Sequence, residues 1–128
     1  MWAPDPLFGE SVVLKILSYL VKREGMPTEE FIDYYENHHV PLILSLAPPP
    51  AVYKRHYLRR GDTVNIGEAA IDFDVVTEQE FADRSAFQSW IDAVTEGDRG
   101  ERVAADEARF LERSRTRSCV VSDYVTTG

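Results

Sequence analysis

The chain of 128 residues carries 14 Lys+Arg against 22 Asp+Glu, a formal net charge of -8, with 44% hydrophobic and 11% aromatic residues. A chain of this length buries roughly two-thirds of its unfolded surface, enough for one core without cross-links, and leaves no room for a second domain. The acidic balance argues against nucleic acid as a partner, and the longest apolar run, Val40 to Ala47, is broken by Pro41 and Ser45 and is far shorter than the roughly 20 residues that cross a membrane.

Met1-Trp2-Ala3-Pro4-Asp5-Pro6 lacks the basic and apolar regions of a secretory signal, so residues 1–10 read as an N-terminal tail. Cys119 stands alone and cannot form an internal disulfide, which suggests a reducing, cytoplasmic setting. Ser11 to Val21 is β-branched and apolar, and predicts a first strand buried on both faces. After the turn Arg23 to Pro27, Thr28 stands where an N-cap would, with Glu29 and Glu30 placed to complement the helix dipole.

In the helix that follows, Phe31, Tyr34, Tyr35, His38, His39, Leu42 and Ile43 fall on one stripe, while Asp33, Glu36 and Asn37 face water. Pro41 removes a helical donor and predicts a kink near His38 or His39. Val52 to Arg59 reads as a second strand and Gly61 to Gly67 as a loop. Ala70 to Thr77 alternates as a third strand, with Asp72 and Asp74 on the face opposite Ile71, Phe73 and Val75. Asp83 or Ser85 caps a helix to about Val94, a short helix follows from Val103 to Arg113, and Ser118 to Val125 closes as a strand. The order is that of an α+β, ferredoxin-like βαββαβ domain: a four-stranded antiparallel sheet with helices on one face. Its other face carries too few polar residues for full solvation, so a second copy of the chain is expected to cover it.

No glycine-rich phosphate loop and no nucleophile elbow occurs. Glu36, His38 and His39 are close in sequence, but adjacent helical histidines diverge by about 100° and cannot both point at one ion, so no metal is expected. At least one of His38 and His39 faces the sheet, where His56, Asp72, Asp74, Tyr53, Tyr57 and Tyr19 sit on predicted strands and need polar partners. Together they suggest a polar pocket around an imidazole that titrates near neutrality. Cys119, among valines, reads as a small apolar group, and Trp90 as a core residue that can also stack on a ligand.

Leu20-Val21-Lys22-Arg23-Glu24-Gly25-Met26-Pro27-Thr28-Glu29-Glu30-Phe31, followed by Tyr35 to Leu42 with its His39-Val40-Pro41-Leu42 motif, resembles the EthD domain family of the dimeric α/β-barrel superfamily. Arg55-His56-Tyr57, Phe73-Asp74-Val75-Val76 and Phe110-Leu111-Glu112-Arg113 extend the resemblance over most of residues 12 to 125, while the triple proline after Ala47 departs from it. The resemblance implies a homodimer of single EthD-like domains spanning residues 1–128. It is most similar to a fungal branch associated with aromatic polyketide tailoring, with anthraquinone-acid decarboxylases and proteins called dehydratases. Superfamily relatives include polyketide cyclases, cofactor-free monooxygenases and a muconolactone isomerase.

By position, His39 matches the family's histidine and Asp74 the acid of its third strand, and His38 is a doubled histidine that the pattern does not require. The expected activity is cofactor-independent: decarboxylation or a related lyase, cyclisation or isomerisation step on a small aromatic or polyketide-derived molecule. His39 and His56 serve as general acid/base candidates, with Asp74 and His38 beside them. Tyr19, Tyr35, Tyr53, Arg55, Asp72 and Trp90 are the expected substrate contacts. A cofactor-free monooxygenase and a non-catalytic ligand-binding accessory protein are the rival readings.

Overall fold

The computed structural model describes residues 13–128. Ser11 and Val12, with which the first strand is expected to begin, and the tail of residues 1–10 lie outside the described residues. Strand β1 spans Leu14–Leu20, β2 Val52–Tyr57, β3 Val75–Phe81 and β4 Arg117–Val121. They form one antiparallel sheet in the order β2-β3-β1-β4, the arrangement of the ferredoxin-like α+β fold. Alternate residues of a strand point to opposite faces. Leu14, Ile16 and Leu20 of β1 and Val75, Thr77 and Phe81 of β3 are therefore buried on one face, under the helices.

Between β1 and β2 the chain is helical from Thr28 to Leu46 in three parts: α1 (Thr28–Tyr34), a π-helical turn (Tyr35–His39) and α2 (Val40–Leu46). Pro27, not Thr28, is the N-cap. The kink expected from Pro41 takes the form of the wider turn, in which the Val40 N–H donates to the Tyr35 carbonyl. Pro41 has no N–H, and in regular α-helical register its ring would strike the Asn37 carbonyl, a clash that the wider turn relieves. The extra residue also steps the inward stripe along. Phe31, Tyr35 and His39 point in, followed by Val40, Ile43 and Leu46, while His38 is left exposed.

Two boundaries differ from the sequence expectation. Residues 70–74 are not strand, and pairing runs instead from Val75 to Phe81, because the register is set by β1 (Leu20 opposite Val75, Leu14 opposite Phe81) and not by the local alternation of 70–77. The last helix, α4, spans Arg99–Glu107, well before the expected Val103 to Arg113. Phe110 and Leu111 leave it to pack on the sheet edge, where the Arg23 N–H donates to the Phe110 carbonyl and the Glu112 N–H to that of Val21. Helix α3 (Arg84–Thr95) is capped by Asp83, whose carboxylate accepts from the Ala86 N–H. Strand β2 ends at Tyr57, before the expected Arg59, and β4 ends at Val121, before the expected Val125.

Under the helices the core has three centres: Leu20, Phe31, Tyr35, Val40, Val75, Phe110 and Leu111; then Leu14, Ile16 and Phe81 against Phe87 and Trp90; then Leu46, Ala47 and Val94. The opposite face of the sheet carries a charged cluster. Lys15 Nζ lies 2.7 Å from Asp123, 3.0 Å from Glu80 and 3.7 Å from Glu78. Among the described residues no helix is long and apolar enough to cross a membrane.

Candidate active site

The inward stripe of α1 and the π turn delivers His39 to the boundary between sheet and α4. The residue is 5% exposed, and its ring packs on Phe110 (centroids 4.9 Å apart) and Tyr35 (5.6 Å). Its Nδ1 lies 2.8 Å from Asp106 Oδ2, and the Tyr34 hydroxyl donates to the other oxygen, Asp106 Oδ1, at 2.6 Å. A carboxylate can only accept, so Nδ1 carries the hydrogen of this bond and Nε2 is the ring nitrogen left for other partners. Burial, and then the bond to Asp106, push the Tyr34 phenol up to about 12. Asp106 is the group that orients the imidazole, and it is missing from the sequence expectation. It lies on α4, 67 residues beyond His39, and no local spacing pairs the two.

A second polar group lies beside the first. Arg55 of β2 donates from Nε (2.9 Å) and Nη2 (2.6 Å) to the two oxygens of Glu36, which also accepts from the Tyr57 hydroxyl. Glu36, expected to face water, is turned by the wide helical turn toward β2. The Arg55 bond holds its carboxyl below the usual carboxylate range. Arg55 also lies over the Tyr53 ring, 4.7 Å from its centroid, and the Tyr35 hydroxyl pairs with Thr77 Oγ1 at 2.7 Å. Arg55, Thr77, Ser18 and Ser118 are consecutive partners across the four strands, so a polar row crosses the sheet under the helices.

The remaining expected site residues do not join this group. His56 alternates with Tyr53, Arg55 and Tyr57 and so points to the opposite face, where its Nε2 is 3.4 Å from Glu78. Tyr19 also lies on that face, edge-on to Phe73 at 5.0 Å. His38 is exposed and stacks on Tyr34 at 4.8 Å. Asp72 is exposed and pairs with Arg117. Asp74, expected beside an imidazole, instead accepts from the Lys22 backbone N–H at 2.8 Å and pairs with Arg60. Its displacement follows from the strand boundary, since it precedes β3 instead of lying within it. Glu36, His38 and His39 diverge onto Arg55, Tyr34 and Asp106 respectively.

Two cavities are present, and neither is lined by His39, Asp106, Glu36 or Arg55. One, of about 620 Å³, lies at the sheet end among Lys22, Asp74, Glu112 and Arg115. The other, of about 610 Å³, is a groove between α3 and the inner face of β1 and β4, walled by Ile16, Phe87, Trp90, Ile91 and Val120. Its floor residues Ser18 and Gln79 flank Thr77, to which the Tyr35 hydroxyl is bonded.

The phenols of Tyr34, Tyr35, Tyr53 and Tyr57 are all raised above their ordinary 10.0, chiefly by burial. The folded chain therefore keeps these protons to higher pH than the unfolded chain does. Their contribution is complete below about pH 10 and is lost progressively as pH rises above it, for Tyr34 through about 12. Thermal melts are expected to show a falling midpoint over this window, and a midpoint unchanged up to pH 12 would contradict the tyrosine environments described.

A structure of a family protein described as ethyl tert-butyl ether d (EthD), from Bacillus halodurans, is similar, with a TM-score of 0.59 and 19% identity over 88% of this chain and 99% of that one. A dimeric protein of unknown function and ferredoxin-like fold from Bacteroides fragilis has a TM-score of 0.55 and 11% identity, covering 87% and 96% of the two chains. The hydroxynitrile lyase of Passiflora edulis has a TM-score of 0.56 and 13% identity, covering 91% and 100%. Among curated proteins none matches the sequence. The EthD domain model matches residues 23–114, well over half of the chain, and takes in α1, the π turn with His39, Arg55 and Asp106. The chain belongs to the EthD domain family.

Proposed function

We propose that this protein is a cofactor-independent enzyme that moves a proton on a small aromatic or polyketide-derived molecule, in a decarboxylation or a related lyase, cyclisation or isomerisation step. The observation that supports it most is the buried His39 held by Asp106, whose other oxygen accepts from Tyr34. Fixing Nδ1–H on a carboxylate orients the ring and leaves Nε2 as the atom that gives or takes a proton, the arrangement that general acid/base work requires. In a decarboxylation the protonated imidazole gives its proton to the ring carbon that bears the carboxylate. The carbon–carbon bond then breaks, its electron pair returns to the ring and carbon dioxide leaves. Phenols kept protonated by burial, and the Arg55 guanidinium, are the donors available to a developing oxyanion.

Incubation with hydroxylated aryl carboxylic acids and poly-β-keto compounds, followed by mass spectrometry with an oxygen electrode in parallel, tests this reading. Loss of carbon dioxide or water, or isomerisation, without oxygen uptake is the expected result. Oxygen uptake would favour a monooxygenase, and tight binding without conversion a carrier.

The active unit we propose is a homodimer whose sheets pack by their helix-free faces. Supporting this are the half-buried Leu17, Tyr19 and Val76 on that face and the descriptions of similar structures as dimeric. Sedimentation equilibrium is expected to give twice the chain mass, and a concentration-independent monomer would contradict it.

A further inference from the structure

Both oxygens of Asp106 are engaged, and by two different kinds of donor. Oδ2 lies 2.8 Å from His39 Nδ1, and Oδ1 accepts from the Tyr34 hydroxyl at 2.6 Å. One carboxylate charge is thereby shared between an imidazole, whose own charge can change, and a phenol, whose charge does not. With its phenol pushed up to about 12, Tyr34 stays protonated and donates throughout the neutral range. Its ring packs on Phe110 (centroids 5.2 Å apart) and stacks on His38 (4.8 Å). Donation to Oδ1 draws negative charge away from the oxygen that faces His39, and so weakens the attraction between the carboxylate and a positively charged imidazole.

We infer that Tyr34 is a positioning residue that acts on His39 through Asp106: its hydroxyl fixes the carboxylate against Nδ1 and limits how strongly the imidazole holds a second proton. The other polar groups around the ring come from three directions. The π turn contributes Tyr35 and His38. Arg109, just beyond α4, acts by its charge on the Tyr34 phenol. Behind Tyr35, β2 presents Tyr53, Tyr57 and Arg55, and the charge of Arg55 is balanced by Glu36. Asp106 is the group of this set that bonds the imidazole, and Tyr34 is its second donor. The inference rests on the reading of His39 as the proton-moving group and names the residue that tunes it.

NMR titration of the isotope-labelled full chain, with no substrate present, tests it by following the Cε1–H and Nδ1–H resonances of His39. Tyr34→Phe keeps the ring packed on Phe110 and removes the hydroxyl alone. The midpoint of the His39 titration should then rise by roughly 0.5 to 1 pH unit, part of what one hydrogen bond to a charged group is worth. The Nδ1–H resonance should move downfield, because Asp106 is left to His39. The same changes are expected in a His38→Ala background, which removes the other titrating ring beside Tyr34. If His39 keeps one protonation state across the whole range, the Nδ1–H resonance decides. The inference is overturned if neither observable moves, as for a merely structural hydroxyl, or if either moves the opposite way. A shift at His39 in a chain that turns over no aryl acid would leave the role of Tyr34 standing and remove the catalytic one.

Discussion

Replacing His39 by alanine is expected to lower turnover by about 10²- to 10⁴-fold, the usual contribution of a positioned general acid/base, while costing only about 1 to 2 kcal/mol of folding stability. His38→Ala is the control. It removes the same imidazole chemistry one residue away, but from an exposed ring stacked on Tyr34, and activity should stay near that of the unaltered chain. Asp106 acts through His39, so Asp106→Asn should reduce kcat with KM nearly unchanged, and Asp106→Glu should recover part of the loss. A purely structural Asp106 would instead lower the melting temperature without splitting kcat from KM. Loss of activity in His38→Ala with His39→Ala intact would transfer the role to the other imidazole.

Phe110→Ala should produce the largest loss of stability, about 3 to 5 kcal/mol by urea unfolding, as for other large aromatic-to-alanine changes in cores. Phe110 is fully buried, and its ring meets those of Phe31, Tyr34, Tyr35 and His39 within 4.9 to 5.9 Å. A domain of this size has about 5 to 15 kcal/mol in total, so the variant approaches the unfolding threshold. Phe110→Leu keeps most of the volume and should fold with a smaller loss. It also bears on the site, because Phe110 forms one wall against the His39 ring, and its activity should fall further than its stability predicts. A loss below about 1 kcal/mol for Phe110→Ala would show that this ring cluster is not the centre of the core.

Chain-local chemistry determined the element order, and with it the ferredoxin-like arrangement. The apolar period of 31, 35 and 39 points His39 inward, the missing donor of Pro41 forces the wide turn, and Asp83 marks the start of α3. The EthD resemblance was legible for the same reason, since its motifs are contiguous stretches such as His39-Val40-Pro41-Leu42. What depends on register was not legible. A strand turns its side chains over every residue, so the face of His56 and the start of β3 are decided by pairing with distant strands. One consequence was nonetheless within reach of the sequence: His56 cannot share a face with both Arg55 and Tyr57. The partner of His39 was beyond it. Asp106 resembles any other acid on a surface helix, and only the packing of α4 against α2 and α3, with Phe110 drawn onto the sheet edge, brings its carboxylate to the imidazole.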